Sequence, residues 1–429
     1  ARERRVLWVT LALALGAILG YFKYWNVILY NFGLEPSTTS LGIVLPLGIS
    51  FYTFQSVMYV IDVYNAKYGS EQDFLRYLTF VSYFPQMLQG PINRFDELAP
   101  QLFGRHEADA LTIESGLWRL AYGTFKKIVV ANVLAGKVTT IFADVTPAMP
   151  GAVAVLGIVT HSLQEYADFS GGIDMVCGVS EVMGIRMAQN FRQPYFAVSL
   201  ADFWRRWHMS LGVFMKDYVF YPLALTKPFQ SLGKWGQRHL GRHVGRTLPA
   251  CIANIIVFLV VGFWHGAEWH FLIWGLFNGV IIASGDLLAP VFARMRDIAH
   301  VREGSLAHKL IAVPRTFAIV CLTRYVDILA DPAQGFICLR NTFCNFLPLP
   351  YKQCLTMMGV DGVELYGLSR MAMLGYALIL AVDICYESGI DVRAKVMSWR
   401  PLAKVALVGA CSLLVILCFR FSLGGGNGF

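Results

Sequence analysis

The chain has 429 residues, of which 56% are hydrophobic, 14% aromatic and only 15% charged. Soluble domains carry about 25% charged residues, so this composition cannot cover an ordinary water-facing surface. A disulfide-stapled secreted scaffold, a disordered chain and a cytosolic enzyme are excluded, and an integral membrane protein remains.

Lys and Arg outnumber Asp and Glu by 36 to 28, a net charge of +8. In a membrane chain this excess marks loops held on the cytoplasmic side, and no loop is long enough for a nucleic-acid surface. The nine cysteines form no CxxC pair and lie mostly in apolar runs, where thiols pack as small hydrophobes. Cys338, Cys344 and Cys354 share one predicted loop.

The basic opening Ala1-Arg2-Glu3-Arg4-Arg5 before an apolar run resembles a signal peptide, but reads better as the first helix of a trimmed chain. Apolar runs then recur at 6–19 extended to 30, 41–64, 74–88, 117–134, 152–183, 248–262, 271–288, 310–329, 371–384 and 402–419. A span needs about 20 apolar residues, so the shorter runs predict half-helices or broken segments. The expected class is all-α: one polytopic membrane domain over residues 1–429.

Four places bring polar chemistry into these runs. At 84–94, two prolines and a glycine (Phe84-Pro85-Gln86 through Gly90-Pro91) interrupt the helical pattern. A break at membrane depth survives only against protein or a wet cavity. A tight interhelical turn is the plainer alternative. At 161–174, His161, Glu165 and Asp168 share one helical face, and Gly171-Gly172 predicts a kink. The spacing matches no established metal-ligand motif, so a polar stripe lining a water-filled cavity is preferred to a metal site.

At 199–210, Ser199 or Asp202 is positioned to cap a helix, and Asp202 reaches Arg206 at i,i+4. Trp204, Trp207 and His208 then fall on one predicted face, two indoles beside an imidazole. The alternative is an interfacial aromatic belt. At 261–266, Gly262-Phe263-Trp264-His265-Gly266 follows about 16 apolar residues, an advance of about 24 Å. This places His265 at a glycine-flanked helix end deep in the protein. Glu268 either orients that imidazole or marks the turn.

Basic residues set the topology. Lys227, Lys234, Arg238, Arg242 and Arg246 stand in a stretch without acids, which is therefore cytoplasmic, and their helix-like spacing suits a helix flat on the membrane surface. The stretch 294–309 shares that side, so 248–288 is a hairpin. Residues 331–368 suit the outer face, and Arg393, Lys395 and Arg400 return the chain inside. No P-loop, GxSxG, HExxH or dinucleotide fingerprint occurs.

These motifs together are similar to a known family. Phe22-Lys23-Tyr24, LPLGISFYTFQSVMYVIDVY (45–64), YFPQMLQGPINR (83–94), YADFSGGIDM (166–175), DFWRRWHMSL (202–211) and GFWHGAEWHFLIWGLFNG (262–279) resemble, in order, the membrane-bound O-acyltransferase family. Its branch typified by the alginate O-acetylation membrane protein is the nearest in look. The resemblance implies a helical ring with broken or re-entrant segments around a central funnel, and further helices ahead of Ala1. It implies transfer of an acyl group, expected to be acetyl, from a cytoplasmic thioester such as acetyl-CoA to a hydroxyl of a cell-surface polysaccharide or of an extracytoplasmic partner transferase. Neither a metal nor a permanently bound cofactor is implied. The expected setting is the lipid of a bacterial inner membrane.

The family's catalytic histidine matches His265 and the second histidine of this branch matches His208. Candidate substrate- or donor-binding residues are Trp204, Arg206, Trp207, Asp168, Gln86, Trp264 and Asn190. Two departures concern the surroundings of His265: Glu268 replaces a small or amide residue, and Asn278 stands where relatives often have histidine. An imidazole near neutrality suits removal of a hydroxyl proton, with His208 or the indole N–H groups of Trp204 and Trp207 toward the donor or oxyanion. The basic stretch would attract the phosphates of coenzyme A. The rival readings are a transporter or flippase using intramembrane His, Glu and Asp, and a scaffold for other enzymes.

Overall fold

The computed structural model describes residues 48–106, 109–348 and 363–425, together with Ala14, Gly16, Ala17, Gly20, Tyr21 and Tyr24. Most of the run predicted over 6–30, the start of the 41–64 run (41–47), and Phe22, Lys23 and Cys354 lie outside the described residues. Every helix and turn among those residues belongs to an all-α protein.

In chain order the helices are α1 (Ile49–Tyr64), α2 (Phe74–Val81), α3 (Phe84–Gln89), α4 (Phe95–Leu102) and α5 (Ala110–Phe125). A π-helical segment, Lys126–Ala131, leads into α6 (Asn132–Phe142) and then α7 (Gly151–Val182). After these come α8 (Leu200–Trp204), α9 (Met209–Met215), a second π segment at Lys216–Phe220, α10 (Tyr221–Ala224) and α11 (Lys227–His239). The chain continues through α12 (Arg242–His265), α13 (Trp269–Leu287), α14 (Ala289–Ile298) and α15 (Leu306–Ile328). It closes with α16 (Pro332–Cys344), α17 (Val363–Glu387), α18 (Val392–Met397) and α19 (Pro401–Gly425). Among the described residues, five stretches are long and apolar enough to cross a membrane: α12, α13, α15, Gly367–Glu387 of α17 and Pro401–Phe419 of α19. The 74–88 run is cut in two, because Pro85 starts a new short helix and Gly90-Pro91 ends it.

The chain divides into two compact units, residues 1–81 with 194–332 and residues 82–193 with 333–429. In the first, α12 and α13 pack as a hairpin on small residues. A side chain at Gly262 would strike the Phe271 carbonyl, one at Gly275 the Phe258 carbonyl, and one at Gly279 would stand 2.8 Å from Ile255 Cα. Bare backbone therefore lets the two helices approach, the packing that membrane helices favour. Helix α11 docks on α12 in the same manner, Gly236 against Gly245, while Lys234 and Arg238 remain exposed. The predicted basic stretch is thus a helix followed by the exposed start of α12.

In the second unit α5 lies along α7. A Cβ on Gly123 would be 2.6 Å from the Met175 amide nitrogen and one on Gly178 2.6 Å from that of Leu120. This explains the Gly171-Gly172 pair differently from the sequence reading. The expected kink is absent: α7 runs unbroken over 32 residues. A Cβ at Gly171 would lie 3.0 Å from the Gly123 carbonyl oxygen, and one at Gly172 would strike the Gln89 side chain. The glycines make room for neighbours instead of bending the helix.

Candidate active site

Helix α8 begins at Ser199, whose Oγ accepts from the Asp202 amide at 3.1 Å. Asp202 then pairs with Arg206 at 3.2 Å, as i,i+4 spacing requires. The helix does not continue through the motif. It ends at Trp204, and His208 takes the left-handed conformation (φ 46°, ψ 52°) at the start of α9. Trp204, Trp207 and His208 therefore do not form one helical stripe. The left-handed step at a non-glycine residue is costly and is held by its surroundings.

Those surroundings are aromatic. Trp207 is buried and stacks on Phe203, ring centroids 5.4 Å apart. It also meets Arg324 of α15, a buried arginine whose guanidinium lies 5.0 Å from the ring centre and pairs with Asp327 at 3.2 Å. Trp204 turns toward α13, packing edge-on to Trp274 at 5.5 Å and giving its indole N–H to Asn278 Oδ1 at 3.1 Å. Asn278 in turn donates to the Trp274 carbonyl at 2.9 Å. The indole N–H of Trp204 is thereby committed within the protein, and what this residue offers a ligand is its ring.

Helix α12 carries the second histidine motif and stops where expected: His265 is its last residue and Gly266 is extended. His265 is exposed, which corrects the expectation of a helix end deep in the protein. Its ring lies 4.7 Å from Trp264, 5.4 Å from Trp274 and 5.8 Å from Phe271, centroid to centroid. Trp264 also faces His208, at 6.1 Å. The structure thus joins the two motifs through one indole, which meets both the exposed imidazole of His265 and the buried imidazole of His208. Burial first, and then the second imidazole of His265, push the His208 ring down to about 3. It is a neutral group throughout the physiological range. Tyr24 stacks on Phe263 at 4.4 Å and its hydroxyl donates to the Trp264 carbonyl at 3.4 Å. Glu268 stands at the N-cap of α13, where a negative charge suits the helix dipole.

Six of the predicted residues (Trp204, Arg206, Trp207, His208, Trp264 and His265) therefore lie in one unit around this cluster. The other three belong to the second unit. Gln86 is fully buried and accepts from Asn93 Nδ2 at 3.1 Å, and Asn93 Oδ1 accepts from the Ala188 amide at 2.8 Å. Asp168 pairs with Lys127 at 2.5 Å, while Asn190 is buried. His161 is 3.9 Å from Glu165, one turn along α7. Sequence reading passed over three further groups. Arg324 and His270 are both buried, the first within an apolar run and the second at the start of the helix that carries one. Lys126 is the third, only 3% exposed and bonded to Asp174 at 2.6 Å. Their position inside membrane-length segments was the signal that should have marked them.

Comparison with known proteins gives a consistent set. The model of MBOAT, the membrane-bound O-acyltransferase family, matches residues 70–303. The chain is 36% identical over 285 residues to "Probable alginate O-acetylase AlgI" of Azotobacter vinelandii, covering 64% of this chain and 53% of that protein. It is 34% identical over 306 residues to the peptidoglycan O-acetyltransferase of Helicobacter pylori, covering 65% and 55%. It is 26% identical over 305 residues to the teichoic acid D-alanyltransferase of Bacillus subtilis, covering 68% and 71%. The chain spans about half the length of the first two relatives.

Proposed function

We propose, from the premise that this chain belongs to the membrane-bound O-acyltransferase family, that it is a multi-pass O-acyltransferase of the bacterial inner membrane. Its donor is a cytoplasmic thioester of the acetyl-CoA class, and its acceptor is a hydroxyl of a cell-surface polysaccharide or of an extracytoplasmic transferase. The relatives carry names that refer to alginate, peptidoglycan and teichoic acid, and the acceptor class is carried over from them.

The observation that carries the reading is the pair of imidazoles that meet Trp264, one exposed and one buried. His265 takes the proton from the acceptor hydroxyl, whose oxygen attacks the thioester carbonyl carbon. The C–O bond forms, the C–S bond breaks, and the proton passes to the departing thiolate, so that an ester and a free thiol leave. His208, kept neutral by burial, has an N–H to give to the developing oxyanion. The ring faces of Trp204 and Trp264 supply flat apolar walls. Lys234, Arg238, Arg242 and Arg246, all exposed, draw the donor's phosphates to the cytoplasmic mouth.

Purified protein incubated with radiolabelled acetyl-CoA and a soluble polysaccharide acceptor should release free thiol and a labelled ester. Flux of a substrate across vesicles without thioester turnover would instead support a transporter. Replacing His265 with Ala should lower acyl transfer by about 10²- to 10⁴-fold, and an unchanged rate rejects the assignment.

A further inference from the structure

The second unit holds a cavity of about 900 Å³ that the proposed chemistry does not use. Small-molecule sites occupy about 300–1,000 Å³, so a whole ligand fits. One side is apolar, with Leu378 and Val382 of α17 and Val408 and Val415 of α19 facing the space. The other side is polar and comes from α5, the following π segment and α7, where Tyr122, Lys126 and Asp174 stand opposite Asp383 of α17.

The charges on this floor are already matched. Lys126 Nζ lies 2.6 Å from Asp174 and donates to Ser170 Oγ at 2.9 Å. Arg119 Nε lies 3.0 Å from the other Asp174 oxygen, and Arg393 meets Glu181 at 2.9 Å. Asp383 accepts from the Tyr166 hydroxyl at 2.8 Å. A ligand with a full charge would have to compete with these part-buried pairs, and removing a partner from a pair held away from water is unfavourable. An uncharged hydroxyl can add to them, because each carboxylate has lone pairs to spare. One group on the floor also calls for such a partner. The Tyr122 hydroxyl is buried and meets no hydrogen-bond partner among the described residues, whereas buried hydroxyls are normally satisfied.

The opposite wall requires hydrocarbon. A water-soluble sugar would leave the apolar faces of α17 and α19 unmatched, and an alkyl chain covers them. Helix α19 is itself long and apolar enough to cross a membrane, with only 6% of that stretch buried, so lipid has direct access to its outer surface.

We infer that this cavity binds an uncharged single-chain amphiphile with a hydroxyl-bearing head, the chemistry of a monoacylglycerol. Its hydroxyls lie on Tyr122 and Asp383 and its chain lies along α17 and α19. The test uses the full chain in phosphatidylcholine nanodiscs and a monoacylglycerol with a diazirine at the chain end. After photolysis the adducts are mapped by mass spectrometry. The expected adducts fall on 378–386 and 407–416, and unlabelled monoacylglycerol removes them.

Tyr122→Phe, which keeps the shape of the site, should weaken labelling by about two- to tenfold, the worth of one hydrogen bond. Val415→Trp should abolish it in protein that remains inserted and monodisperse. Labelling spread evenly over the outward faces of α15 and α19 would mean bulk lipid only and would overturn the inference. So would equal competition by a phosphate-headed single-chain lipid or by glucose, or wild-type labelling of Tyr122→Phe.

Discussion

The two units of this protein handle polar groups in a membrane chain in opposite ways. The first spends almost no charge at its centre. It sets two imidazoles among tryptophans and phenylalanines, with one indole N–H tied to Asn278, the Arg324 guanidinium over Trp207 and Arg206 paired locally with Asp202. The second holds a part-buried paired network of Arg119, Lys126, Asp174, Glu181 and Arg393 between α5, the π segment after it, α7 and α18. Groups that can change protonation without a counter-ion suit proton transfer. Ions locked in pairs suit positioning and recognition, and they make the bundle sensitive to loss of any one partner.

That contrast predicts where damage shows. The largest effect on stability belongs to the second unit. Lys126→Met leaves Asp174 buried with only part of its compensation and should cost about 3–5 kcal/mol, read as a lowered midpoint in thermal unfolding of detergent-solubilised protein. A loss below about 1 kcal/mol would mean that the network is no more than decoration.

In the first unit the sensitive variable is pH. The folded-state value for His208 is depressed, from 6.5 to about 3. The unfolded chain therefore takes up a proton below about pH 6.5 that the folded one refuses. The stabilising effect of a neutral His208 is complete above that pH and is lost as the pH falls toward 3, at about 1.4 kcal/mol per pH unit. His208→Gln should flatten this share of the acid limb, and an unaltered limb would show that another group sets it.

A smaller effect is expected at Asn278→Leu, which leaves the Trp204 indole N–H without its acceptor and should cost about 1–3 kcal/mol. Acyl transfer should fall with it, because Trp204 is then free to turn. Smallest is Ser199→Ala, loss of one helix cap, about 1 kcal/mol, measurable as a shift in denaturation midpoint with little change in rate.

Much of the first unit could be read from its residues. Apolar length followed by Gly-Phe-Trp-His-Gly foretells a helix ending at His265, because glycine tolerates the break, but it did not foretell that the imidazole is exposed. Ser199 three residues before Asp202 is a cap by local geometry alone. The break between Trp204 and His208 was not legible, since a left-handed histidine is imposed by the aromatic packing of Trp207 and not by propensity. The second unit was mostly hidden. Asp174 meets Lys126 and Arg119 at separations of 48 and 55 residues, and no spacing rule reports partners that distant. The Gly171-Gly172 pair shows the same limit: two glycines in a row fit a kink or a close neighbour equally well, and only packing decides.

The central claim is that the His265 imidazole carries the acceptor's proton. It is tested most directly by chemical rescue of His265→Ala in a single-turnover acyl-transfer assay, with added imidazole. The account predicts a rate near background without imidazole and a dose-dependent recovery with it, following the fraction of imidazole in its neutral form. Transfer by the variant at the wild-type rate before any imidazole is added would contradict it.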